Sequence, residues 1–88
     1  MYEINLSKKV EKELKNLRRS QPKHAGQVKE KIDGLADKPR PQDSEKVKNR
    51  PGYLRVDSGE YRILYKVFDN RKGIEITRVK HRKDAYRW

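Results

Sequence analysis

Tyr61-Arg62-Ile63-Leu64-Tyr65-Lys66-Val67-Phe68 is the stretch that decides the fold. Ile63, Tyr65 and Val67 fall on one side of an extended strand; Arg62, Leu64, Lys66 and Phe68 fall on the other. A strand with apolar residues on both sides belongs inside a sheet, not at its rim. Its neighbours supply the partners. Tyr53-Leu54-Arg55-Val56 reads as a strand, and Asp57-Ser58-Gly59-Glu60 as the turn that joins them. Asp69-Asn70-Arg71-Lys72-Gly73 reads as a second turn, with Asn and Gly suited to positive φ, and Ile74 to Lys80 as the last strand. The C-terminal half is therefore a three-stranded antiparallel meander.

Working back towards the N-terminus, the period changes. Tyr2-Glu3-Ile4-Asn5-Leu6 alternates and predicts a short first strand. Ser7 then stands where a helix N-cap belongs. Val10, Leu14 and Leu17 follow at i, i+4 and i+7, one apolar stripe on a helix whose other faces carry Lys8, Lys9, Lys12 and Lys15. Arg18-Arg19-Ser20-Gln21 breaks it. Pro22 fits the first turn of a second helix, where a missing N–H costs nothing. Ala25, Val28, Ile32 and Leu35 mark that helix's buried face, and so short a connection predicts an antiparallel hairpin. From Ala36 to Gly52, Pro39, Pro41 and Pro51 predict a connection without regular structure. The tail from His81 is expected to form one helical turn. The fold class is α+β: one domain over residues 1–88, with a helical hairpin on one face of a four-stranded sheet.

Composition narrows the function. The chain has 88 residues, of which 32% are hydrophobic and 42% charged. Lys and Arg number 24 against 13 Asp and Glu, a net charge of +11. Residues 46–88 hold 13 of the cations and 5 of the acids, so the excess sits on the meander and tail. No apolar run approaches the ~20 residues of a membrane span, and the N-terminus does not read as a signal peptide, so a cytoplasmic protein is expected. Cysteine is absent and the two histidines, His24 and His81, are far apart, so no metal site or cofactor is expected. A cationic chain of this kind points to a polyanion, nucleic acid first. Arg55, Arg62, Arg78, Lys80, Arg82 and Arg87 are dense for charges that only solubilise strand edges. Interleaved Tyr53, Tyr61, Tyr86 and Trp88 are suited to stacking on bases.

Gly52-Tyr53-Leu54-Arg55-Val56, Gly59-Glu60-Tyr61-Arg62-Ile63-Leu64-Tyr65 and His81-Arg82-Lys83-Asp84-Ala85-Tyr86 resemble the RelE/ParE superfamily of toxins from bacterial toxin–antitoxin pairs. The likeness runs the length of the chain. On the RelE side it implies an endoribonuclease that cuts mRNA in the ribosomal A site by attack of the RNA's own 2′-hydroxyl, without a metal. On the ParE side the same fold acts on DNA gyrase. A simple RNA- or ribosome-binding module is a third reading.

The resemblance implies that Arg62 clamps a phosphate and that Arg82 stabilises the transition state. It implies that Tyr86 stacks on the reacting base or assists proton transfer. Tyr53 and Arg55 fall where the best-known RelE toxin has two lysines. Arginine does not deprotonate in proteins, so Arg55 cannot serve as a base. His81 is the candidate proton acceptor, since histidine is the residue type that changes charge near neutrality. Tyr53, Arg55, Arg78, Lys80 and Arg87 are expected to line the RNA, and His24 is given no role. The expected partners are an acidic antitoxin, in a hetero-oligomer, and the ribosome with its mRNA.

Overall fold

A computed structural model describes residues 1–85. The order is β1 (Glu3–Leu6), α1 (Lys8–Ser20), α2 (Pro22–Gly34), β2 (Glu45–Lys46), β3 (Tyr53–Ser58), β4 (Tyr61–Phe68), β5 (Gly73–His81) and the short α3 (Arg82–Ala85). Ser7 caps α1 as its sequence suggests, its hydroxyl accepting the Val10 N–H at 3.1 Å. Gln21 alone joins α1 to α2, and Pro22 opens the second helix.

The sheet differs from expectation in two respects. It has five strands in the order β1-β5-β4-β3-β2, and it is mixed, because β1 runs parallel to β5. The extra strand is Glu45–Lys46 in the Pro-rich connection, paired with Leu54 and Arg55. Two residues carry no periodicity, so the sequence gives no hint of it. The parallel pair arises because α1 and α2 return the chain to the opposite end of the sheet before the meander starts. β3 and β4 join through a two-residue loop with Gly59 at φ +59, a conformation that hairpin turns of this length require. In the second turn Lys72 at φ 47, not Asn70 or Gly73, takes the left-handed conformation.

One face of the sheet meets the helices. Val10, Leu17, Ala25, Val28, Ile32 and Leu35 from the helical side pack against Val56, Ile63, Tyr65, Ile74, Ile76 and Val79. β5 reaches this arrangement through a bulge. Leu64 pairs with Arg78 but Tyr65 pairs with Ile76, leaving Thr77 unpaired. Thr77 donates its hydroxyl to the Leu64 carbonyl at 3.1 Å. Without the extra residue, Val79 would point away from Ile74 and Ile76; with it, all three are buried. The loop before β2 is pinned to the sheet by the Tyr65 hydroxyl, which donates to the Pro39 carbonyl at 2.8 Å. Arg40 adds two bonds to Asp69, at 3.1 and 2.8 Å.

Candidate functional site

The helix-free face of the sheet carries the cations. Cross-strand partners share a face, so the register sets them out in rows. Asp57, Arg62 and Lys80 form one row; Arg55, Leu64 and Arg78 the next; Tyr53, Lys66 and Glu75 the third. The Thr77 bulge matters here too: it turns Arg78 and Lys80 onto the face of Arg62. Leu64, 1% exposed, sits amid the arginines as an apolar floor. Lys66 lies over the Tyr53 ring at 4.8 Å and the Phe68 ring at 5.6 Å, and the Arg71 guanidinium over Phe68 at 4.1 Å. Sequence reasoning did not single out Lys66 or Phe68, although their place in the alternation put them on this face.

The arginines are not bare. Arg62 donates from Nε to Asp57 at 3.0 Å, and Arg55 pairs with Glu45. Arg78 donates to one oxygen of Glu13 from Nε and Nη2, each at 3.2 Å. The other oxygen of Glu13 accepts the Val79 N–H at 2.9 Å. β1 ends opposite Ile76, so the edge of β5 beyond it has no strand beside it, and this carboxylate from α1 takes its place. Lys80 has no ion pair among the described residues.

His81 stands apart from this lattice. It pairs with Tyr61, one residue on from the Arg62–Lys80 pair, and so falls on the helix side. Its ring meets the Tyr61 ring edge-on at 5.4 Å, and His24 lies 5.6 Å from the same tyrosine. Nδ1 accepts the Lys83 backbone N–H at 3.2 Å, which fixes the neutral ring's proton on Nε2, 3.3 Å from Glu60. Both ring nitrogens are therefore engaged. Arg82 opens α3 on the exposed surface, its backbone N–H donating to the Glu60 carbonyl at 2.8 Å. Tyr86 and Arg87 lie outside the described residues.

Hollows open elsewhere on the described residues. A polar cleft of about 460 Å³ runs between α1 and the ends of β4 and β5; Asn16, Leu17, Tyr61, Val79, Lys80 and His81 are among the residues that line it. A larger groove of about 1110 Å³ lies between β1, α1 and α2. Its floor is Ile4, Leu6, Leu14, Ala25 and Ile32; Lys8, Lys12, Lys15, Arg18 and Lys29 rim it against Glu11 and Asp33. No cluster of three metal-ligating side chains is present among the described residues, and no helix there is long and apolar enough to cross a membrane.

Residues 4–86 match the model of a family described as the ParE toxin of the type II toxin–antitoxin system, parDE. No match is found among curated protein sequences. Solved structures agree with the fold. RelE in the RelE–RelB complex of Pyrococcus horikoshii is 28% identical, with a TM-score of 0.76 over 94% of this chain and 97% of that one. The RelB–RelE complex of Methanococcus jannaschii gives 26%, 0.71, 93% and 94%. The isolated RelE toxin of E. coli, at 22% identity, shares the fold with a TM-score of 0.77 over 99% of this chain and 93% of that one.

Proposed function

The chain belongs to the RelE/ParE toxin superfamily of type II toxin–antitoxin systems, and on that premise we propose that it is a ribosome-dependent endoribonuclease. The observation that carries this reading is the row lattice of Arg55, Arg62, Arg78 and Lys80 around Leu64 on the helix-free face. Four cations on a rigid sheet are suited to the phosphates of a single RNA strand, and Tyr53 beside Lys66 offers a stacking surface. In the reaction the 2′-hydroxyl attacks the adjacent phosphate. The bond to the 5′-oxygen breaks and that oxygen takes up a proton from water, leaving a 2′,3′-cyclic phosphate and a free 5′-hydroxyl. Arg62 and Lys80 hold the scissile phosphate, and Arg82 adds positive charge as the pentacovalent state forms.

His81 takes the 2′-hydroxyl proton in this scheme. Only Nδ1 has a lone pair, and it is occupied by the Lys83 N–H, so the first turn of α3 must shift before the base is free. Lys80 and His81 point to opposite faces of β5, so in this scheme His81 must also swing round the end of the strand to reach a 2′-hydroxyl beside a phosphate held at Lys80. Mapping mRNA 5′ ends after induced expression tests the proposal. New ends within reading frames are expected, and they are expected to vanish in Arg62→Ala. Growth arrest with intact mRNA would refute it.

One observation favours the other reading, a non-catalytic toxin that poisons gyrase: both nitrogens of His81 are engaged, so the resting site holds no free base there. Inhibition of gyrase supercoiling by the purified chain, with mRNA untouched, is the result that reading expects. Under either reading the partner is an acidic antitoxin. The apolar floor and lysine rim of the groove between β1, α1 and α2 suit an acidic amphipathic segment, and the P. horikoshii and M. jannaschii relatives were solved with RelB.

A further inference from the structure

Six cations stand on α1: Lys8, Lys9, Lys12, Lys15, Arg18 and Arg19. All six are exposed, and none has an ion pair among the described residues. Four of them make a line. By helical spacing Lys8, Lys12, Lys15 and Arg19 fall within about 60° of one another, and the line they make is about 17 Å long. It lies on the arc opposite Val10 and Leu17, which are buried against the sheet. The line therefore faces away from the sheet, while the cation lattice lies on the sheet's other face.

This arrangement works against the helix. Lys8 and Lys12, and Lys15 and Arg19, are like charges at i,i+4, and Lys12 and Lys15 are like charges at i,i+3. Lys8 and Lys9 occupy the first turn, where the helix dipole favours acids. Glu13 relieves none of this, being turned to Arg78 and the Val79 N–H. Glu11 is the other acid of the helix; it flanks the line on the side of the groove and has no ion pair among the described residues. A surface that served solubility alone would mix its signs.

The line also differs in kind from the lattice. Tyr53 and Phe68 stand among the lattice cations, where the bases of a single strand can stack. No aromatic residue occurs from Lys8 to Ser20, and no apolar side chain stands in the line to anchor a protein partner. What remains is a straight row of point charges. Its complement is the phosphate edge of a double helix, whose bases are stacked inside and out of reach.

We propose that α1 is a second RNA surface, which docks the phosphates of double-helical RNA through Lys8, Lys12, Lys15 and Arg19. The proposal deepens the endoribonuclease reading, in which folded ribosomal RNA supplies the duplex, and it rests on that reading for this identity alone. The probe is a blunt RNA hairpin of about 16 base pairs, titrated with the full chain at several salt concentrations. The row variant carries Lys8→Gln, Lys12→Gln, Lys15→Gln and Arg19→Gln; these are exposed helical positions, glutamine is a good helix former, and the exchange relieves the repulsion. A control variant carries Lys38→Gln, Lys46→Gln, Lys48→Gln and Lys72→Gln, which are equally exposed and lower the net charge by the same amount.

The slope of log K against log salt is expected to be shallower by about 3 to 4 in the row variant than in the wild type, roughly one for each phosphate contact. The control variant should keep the wild-type slope, and so should a hairpin of exchanged sequence. Equal slopes for the wild type and the row variant would overturn the proposal. So would an equal change in the control, which would reduce the effect to net charge. Loss of polyglutamate binding in the row variant, with hairpin binding intact, would give the row to an acidic protein and overturn it too. Mapping mRNA 5′ ends in cells keeps the two readings apart. A slope that needs the row, without any cleavage by the wild type, would keep the RNA surface and remove the endoribonuclease; cleavage with equal slopes would do the reverse.

Discussion

Arg62 is held by Asp57 at 3.0 Å, so RNA must compete with a carboxylate the protein itself supplies. Asp57→Asn keeps the shape and removes the competing charge. Binding of a short oligoribonucleotide is expected to tighten severalfold, because a charge-assisted bond no longer has to be broken first. Arg62→Ala is expected to slow cleavage on programmed ribosomes by roughly 10²-fold or more, as for the loss of an oxyanion donor. Combined with Arg82→Ala the loss should be less than the product, since both act on one phosphate. Wild-type rates in both single variants would remove the site. These residues were legible because chain alternation alone places Arg62 opposite Ile63, and cross-strand pairing extends that to Arg55. His81 was legible as a residue type but not as a contact. Nothing in the sequence announces that a backbone N–H two residues on, at Lys83, occupies its lone pair.

At the level of elements, two features do the positioning. The first is the bulge at Thr77. Its trace is in the sequence: apolar residues stand at 74, 76 and then 79, a change of parity that a regular strand does not allow. The second is Glu13 of α1, which serves as the missing neighbour of β5. No pattern marks it, because a glutamate on a charged helix looks like any solvated side chain. Glu13→Ala leaves the Val79 N–H without its acceptor and is expected to cost about 1–2 kcal/mol in urea unfolding. Glu13→Gln retains an acceptor and should cost less than half of that. Equal losses would show that the hydrogen bond to Val79 contributes nothing. The strand at Glu45–Lys46 escaped a reading by periodicity for a similar reason: its pairing is decided by β3, not by its own two residues.

Across the whole molecule, charge sets the response to pH and salt. Asp69 is held below the ordinary carboxyl value by hydrogen bonds from Arg40 and then Tyr2. Asp43 is held low by its hydrogen bond from Lys31. A lowered folded-state value means stability that is fully present above the unfolded value of 3.8 and lost as pH falls through the folded one. The urea midpoint is therefore expected to fall below about pH 4, and Asp69→Asn should flatten part of that fall. Burial raises the Tyr65 hydroxyl above its ordinary 10.0, so a second loss is expected as pH climbs past that value. Association with an acidic antitoxin should slow steeply between ~50 and ~500 mM salt, over which the Debye length shrinks about threefold, while dissociation stays nearly constant. A salt-independent association rate would defeat the charge-complementarity account.

The parallel pairing of β1 with β5 has a consequence for time. Ser7 and Thr77, bonded at 3.3 Å, are separated by 70 positions in the chain. The last strand to be made lies second in the sheet, between the first strand and β4. So remote a pairing must close a long loop before it returns any contact, and refolding is expected in milliseconds to seconds, not the microseconds of a helical bundle. Until β5 docks, Arg62 has no Lys80 beside it and Leu64 no Arg78. A growing polypeptide therefore carries β3 and β4 without a lattice, and toxicity begins with a folding event.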